Sequence, residues 1–122
     1  MATRKAHPVL SEEALEQLAA RFRVLAHPAR LRILNTLMQG ESSVGALAER
    51  TGLEQPSVSR HLTVLRNEGI LVRRGDGNRA YYRIDDSTLT KLFGLVCGRL
   101  AERLSEDLEA LPDAEAWKGA GI

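Results

Sequence analysis

Four residues, Thr51-Gly52-Leu53-Glu54, separate two short segments of helical apolar periodicity, and this corner constrains the chain more than any other stretch. On its N-terminal side, Val44 to Arg50 reads as a helix stopped by Thr51-Gly52, with Leu53 as an apolar plug in the turn. On its C-terminal side, Glu54-Gln55-Pro56 opens a second helix over about residues 55–68, since proline is tolerated in a first turn where its missing N–H has no partner. The apolar face of that helix is Val58, His61 or Leu62, and Leu65, and Gly69 ends it. Two helices joined by a short glycine-containing turn predict a helix-turn-helix.

The flanking sequence has room for four further elements. After a flexible lead (1–10), Ser11 is an N-cap, and Leu15, Leu18, Phe22 and Leu25 recur at helical spacing as far as Ala26. His27-Pro28 breaks that helix and starts a second, whose stripe is Leu31, Leu34, Leu37 and Met38, with Gly40 past its end and Glu41-Ser42-Ser43 as a link. Ile70 to Arg74 and Ala80 to Ile84 are rich in branched and aromatic residues around a Gly75–Arg79 tip, which predicts a β-hairpin over about 70–84. Tyr81 and Tyr82 alternate faces, so one belongs to the core. A last helix, capped by Asp85 or Asp86, is expected over about 86–111, followed by a mobile tail (112–122) in which Trp117 has no evident role. Its apolar residues include Leu92, Phe93, Val96, Leu100, Leu104 and Leu108. At ~1.5 Å per residue such a helix runs ~37 Å, too long for a small domain to cover. The uncovered stripe asks for a partner, most simply a second copy, with Leu15, Leu18 and Phe22 of the first helix packed beside it.

Composition narrows the functional classes. The 122 residues, 43% hydrophobic and 27% charged, suit one packed domain, mainly α with a small β-hairpin. No apolar run approaches the ~20 residues of a membrane span, and the basic start lacks an apolar stretch behind it, so no signal peptide and a cytoplasmic location are expected. The net charge of +1 hides an asymmetry: +1 over residues 1–54, +4 over 55–84 and −4 over 85–122. All six cations of the middle segment are arginines, the residue suited to forked contacts with phosphates and base edges. A basic working surface beside an acidic support points to nucleic acid.

The second helix of a helix-turn-helix enters the major groove N-terminus first. The candidate DNA-facing set is therefore Gln55, Ser57, Val58, Ser59, Arg60, His61 and Thr63. Gln pairs with adenine and Arg with guanine, and short serines let the helix backbone approach the duplex. His61 is read equally well as a core histidine. The hairpin, with Arg73, Arg74, Asn78 and Arg79, would be a wing reaching the minor groove or phosphates. Two patterns are set aside. Gly75-Asp-Gly-Asn-Arg-Ala imitates a phosphate-binding loop but leads into a strand, not a helix. Ser59 and His61, two apart on a helix, cannot face one another as a catalytic pair, so no enzyme is expected.

Four segments carry a family resemblance: FRVLAHPARLRIL (22–34), VGALAERTGL (44–53), QPSVSRHLTVLRNEGIL (55–71) and GNRAYYRI (77–84). In this order and spacing the chain, over residues 11–111, resembles the ArsR/SmtB family of winged-helix repressors. The resemblance implies a winged helix-turn-helix with a helical dimerisation layer from the first and last helices. It implies a homodimer that sits on double-stranded DNA, an imperfect palindromic operator, and leaves when an effector binds. Relatives hold metals through cysteines on the third helix or paired Asp/His and His/Glu sets on the last. Here Ser43-Val44-Gly45-Ala46 replaces the cysteine signature, and Asp86, Thr88, Arg99 and Glu102 stand at the other four positions. Threonine and arginine there cannot make a zinc site, so no metal and no cofactor are expected. Cys97 is either a small hydrophobe at the dimer interface or a thiol sensor that reacts with an oxidant or persulfide or pairs across the two-fold with its copy, and within one chain no second cysteine exists to resolve it. Gly94 and Gly98 beside it permit either close helix approach or a pocket for a small organic effector. A winged helix serving as a protein-binding adaptor is the rival from another class.

Overall fold

A computed structural model of the chain describes residues 9–85 and 87–104. Helix α1, Glu12–Leu25, starts at Ser11, whose Oγ accepts from the Ala14 amide at 3.1 Å, and Glu12 and Glu13 place negative charge at its positive end. Helix α2, Pro28–Leu37, has Pro28 in its first turn and His27 as its N-cap. Helix α3, Val44–Thr51, begins at Ser43, whose Oγ accepts from Ala46 at 3.2 Å. It stops at Gly52, held at φ 78°, a left-handed conformation that glycine adopts without strain. Three residues later α4, Gln55–Asn67, begins.

The core is built where these helices meet. Ile33, Leu34 and Leu37 of α2, Leu47 of α3, and Val58, Leu62 and Leu65 of α4 are buried together with Ile70, Leu71, Tyr82 and Leu89. The turn between α3 and α4 is held by Thr51, whose Oγ1 donates to the Leu47 carbonyl and accepts from the Leu53 amide. That bond pair fixes the angle at which α4 leaves α3.

Strands β2, Leu71–Asp76, and β3, Arg79–Ile84, pair antiparallel from Leu71–Ile84 to Asp76–Arg79, so the tip is a two-residue turn at Gly77-Asn78. Gly77 has φ 65°. Tyr82 is buried and Tyr81 half-buried, as the alternation of faces requires. The sheet has a third strand that periodicity did not reveal. Ser42–Ser43, expected to be a link, forms β1 and pairs with β3 in the order β1-β3-β2, Ser42 opposite Tyr82 and Ser43 opposite Tyr81. Two residues are too few for an alternating pattern, and only the distant β3 makes them a strand.

Helix α5, Ser87–Arg103, buries Leu89, Gly94, Gly98 and Ala101. Asp86, one of the two expected caps, and the expected continuation to Leu108 and residue 111 lie outside the described residues. Helix α1 buries none of its residues. Among the described residues no helix is long and apolar enough to cross a membrane. The fold is mainly helical with a small antiparallel sheet, a winged helix-turn-helix.

Candidate nucleic-acid interface

Helix α4 divides cleanly by face. Val58, Leu62 and Leu65, at spacings of four and three, point into the core and are wholly buried. Val58 was expected on the DNA-facing side; its place on this stripe removes it from any contact surface. Gln55, Ser59, Arg60 and Thr63 are exposed and Ser57 is half-buried near the start of the helix. Thr63 donates to the Ser59 carbonyl one turn back, so its hydroxyl oxygen keeps acceptor capacity.

The exposed face of α4 opens onto a cleft of about 580 Å³. One wall is the start of α3 with Ser43, Gly45 and Glu49; another is Gln55 and Ser59; the third is the hairpin, with Asn78 and Arg79. The groups that sequence placed on two separate elements thus border one concave surface. Arg60 and Arg73 are also exposed. Glu49, the one carboxylate on these walls, was not picked out from sequence, because nothing local marks a helix-surface glutamate as facing a cleft.

Arg74 has a different surrounding from the other wing arginines. Its Nε and Nη2 donate to the two carboxylate oxygens of Glu41 at 3.0 and 2.9 Å, and its guanidinium lies 4.7 Å over the Tyr81 ring. The paired Arg74 holds the Glu41 carboxyl below the usual carboxylate range, and Glu41 in turn pushes Arg74 up. The wing is pinned midway along β2 to the residue preceding β1. His61 is half-buried, and its Nδ1 accepts from Arg30 Nε at 3.1 Å, which ties it to α2. Burial pushes the His61 imidazole below its ordinary value, and His27, Arg30 and Arg60 push the same way.

Away from the residues that line this cleft, Leu15, Leu18 and Phe22 of α1 and Leu92, Leu95, Val96 and Leu100 of α5 are exposed, between 37% and 56%. Phe93 differs: it is half-buried and packs against the core. Leu104 is half-buried, and Leu108 lies outside the described residues. Between α1, α2 and α5 runs an apolar groove of about 390 Å³, walled by residues including Phe22, Leu31, Leu89, Phe93 and Cys97; the two glycines beside Cys97 are not among its walls. Burial pushes the Cys97 thiol up, which keeps it protonated and weakly nucleophilic. Among the described residues no three His, Cys, Asp or Glu side chains gather as a metal site.

Residues 27–72 match the family described as bacterial regulatory protein, arsR family. An HTH-type transcriptional regulator of Mycobacterium tuberculosis is 38% identical over 113 residues, covering 91% of this chain and 99% of that one. The biofilm growth-associated repressor of Agrobacterium fabrum is 39% identical over 85 residues, 70% of this chain and 72% of that one. Among solved structures, a homodimeric winged helix-turn-helix DNA-binding domain from Mycobacterium bovis superimposes with a TM-score of 0.71 at 36% identity, covering 80% of this chain and 93% of that one. With likeness in sequence and fold along nearly the whole described domain, the chain belongs to the ArsR family of bacterial regulatory proteins.

Proposed function

We propose that the chain is a homodimeric, sequence-specific DNA-binding transcriptional repressor that reads an imperfect palindrome. The observation that carries this is the single concave surface formed by the exposed start of α4 and the tip of the wing, with Gln55, Ser59, Arg79 and Asn78 on its walls and Arg60 beside it. Gln55 offers a donor and an acceptor, and Arg60 a fork of donors, to base edges in the major groove, while Ser57, Thr63, Arg73 and Arg79 suit phosphates and the flanking minor groove. The name of the Agrobacterium relative supports repression. The homodimeric Mycobacterium bovis domain supports a two-fold partner, and the exposed apolar faces of α1 and α5 are where a second copy would pack. Half-sites then lie about one helical turn, ~34 Å, apart.

Release by an effector follows the same reading. The four family metal positions hold residues that cannot form a zinc site, so the effector is a small organic molecule acting through the dimer layer. Cys97 serves as packing there, since burial pushes its thiol up and its own chain holds no second cysteine to resolve it. The test is fluorescence anisotropy on DNA from upstream of the protein's own gene against a scrambled duplex, across a salt series, with reduced and peroxide-treated protein. Preference for the native fragment with steep salt weakening is the expected result. Equal binding to both duplexes, insensitive to salt, overturns it in favour of a protein-binding module, and loss of binding on oxidation restores Cys97 as a sensor.

A further inference from the structure

One polar corner ties the middle of the recognition helix to α1 and α2, and at its C-terminal end Arg21 of α1 donates from Nη1 to the Glu68 carbonyl at 3.1 Å. Arg30 of α2 donates from Nε to His61 Nδ1 at 3.1 Å and from Nη1 to the Val24 carbonyl of α1 at 3.2 Å. One guanidinium therefore bridges α1, α2 and α4. His27, the N-cap of α2, lies edge-on to His61 with ring centroids 4.8 Å apart, and its own Nδ1 accepts from the Ala29 amide at 3.3 Å. Because His61 accepts at Nδ1, its single proton sits on Nε2. A second proton would set an N–H at Nδ1 against the Arg30 Nε–H, donor facing donor, and the bond could not persist.

We propose that His61 is a positioning residue for the recognition helix, acting through Arg30, and that its protonation breaks this polar tie between α4 and α2, shifts the start of α4 and weakens operator binding. This rests on the DNA-binding reading above. The charged or titratable groups that bear on His61 are His27 at the N-cap of α2, Arg30 on α2 and Arg60 on α4 itself, and every charge they carry is positive. What α1 brings to the corner is the Val24 carbonyl, which holds the other arm of Arg30. Burial, with the Arg30 and Arg60 guanidinium groups beside it, keeps His61 neutral, and the hydrogen bond made, above its ordinary value of 6.5. A histidine in direct contact with phosphate behaves in the opposite sense: acid would give it a positive charge and strengthen binding.

The experiment measures operator affinity by anisotropy at constant ionic strength from about pH 8 to about pH 5.5, a span bracketing the ordinary histidine value, for the wild type and His61→Asn. The asparagine Oδ1 stands near the place of Nδ1 and cannot titrate. The wild type should lose about fivefold or more in affinity over this span, the low end of coupling between sites, while His61→Asn, whatever its affinity at the upper pH, keeps that affinity across the span. A flat wild-type profile, a profile that strengthens in acid, or an equal loss in both proteins overturns the inference. If His61→Asn does not fold, the imidazole NMR titration of wild type decides. By linkage, operator DNA must lower the His61 pKa; an unchanged or raised value overturns the inference. Equal, weak binding to operator and scrambled duplex at the upper pH defeats the DNA-binding reading itself, and this inference with it.

Discussion

Arg60 and Arg79 carry the same charge and face the same duplex in the proposed complex, yet their settings differ. Arg60 projects from the second turn of α4, where side chains meet base edges; Arg79 begins β3 beside the turn of the wing. Arg60→Ala should relax base preference at one operator position, at a cost of about 1–3 kcal/mol. Arg79→Ala should weaken all sequences alike and lower the salt slope by about one counterion, read from anisotropy at several salt concentrations. His61 gives a prediction for the protein without DNA. The folded state holds its proton less tightly than the unfolded chain does, so unfolding takes up a proton once the pH falls below the unfolded value. Stability should therefore be full above about 6.5 and decline as the pH drops through it, and urea midpoints at several pH values should show this slope flattened in His61→Asn. At this scale the sequence misled in one place. Val58 shares spacing with Leu62 and Leu65, so its burial was readable, but its position among serines and Arg60 drew it into the contact set. The Arg74–Glu41 pair was not readable, because its partners are 33 positions apart.

Elements defined by local signals were legible: the cap Ser11, the Pro28 start and the Gly52 stop each act within a few residues, whereas Ser43, read only as part of a link, proved to be the cap of α3. Strand β1 was not legible, because pairing with β3 rather than its own composition makes it extended. Ser43 shows how closely these levels meet. It is the last residue of β1 and the N-cap of α3, with φ −83° and ψ 164° serving both roles. Ser43→Ala should cost about 0.5–2 kcal/mol through loss of the bond to the Ala46 amide, measured by denaturant unfolding. Ser43→Asn, which can also cap, should recover most of that loss.

For the molecule as a whole, the proposed function divides the work: the basic reading surface for DNA, and the exposed apolar faces of α1 and α5 for a second copy. Periodicity found the apolar faces but could not separate Phe93, which packs inward, from Val96 and Leu100, which do not. Val96→Glu should leave the monomer folded, since the side chain is 56% exposed. It should shift sedimentation toward a monomer and weaken binding to a full palindrome far more than to an isolated half-site, because linked sites gain affinity from one another.

The two-residue strand has a geometric consequence for the operator. Because β1 joins the hairpin to the cap of α3, and Thr51 fixes the angle from α3 to α4, the points that touch the groove and its flank behave like the fixed jaws of a gauge. Their separation is set before DNA arrives. One base pair inserted inside a half-site should therefore abolish recognition of that half. The same insertion at the dyad leaves each half-site intact but turns one against the other by roughly 34°, so it should weaken the full site while sparing an isolated half.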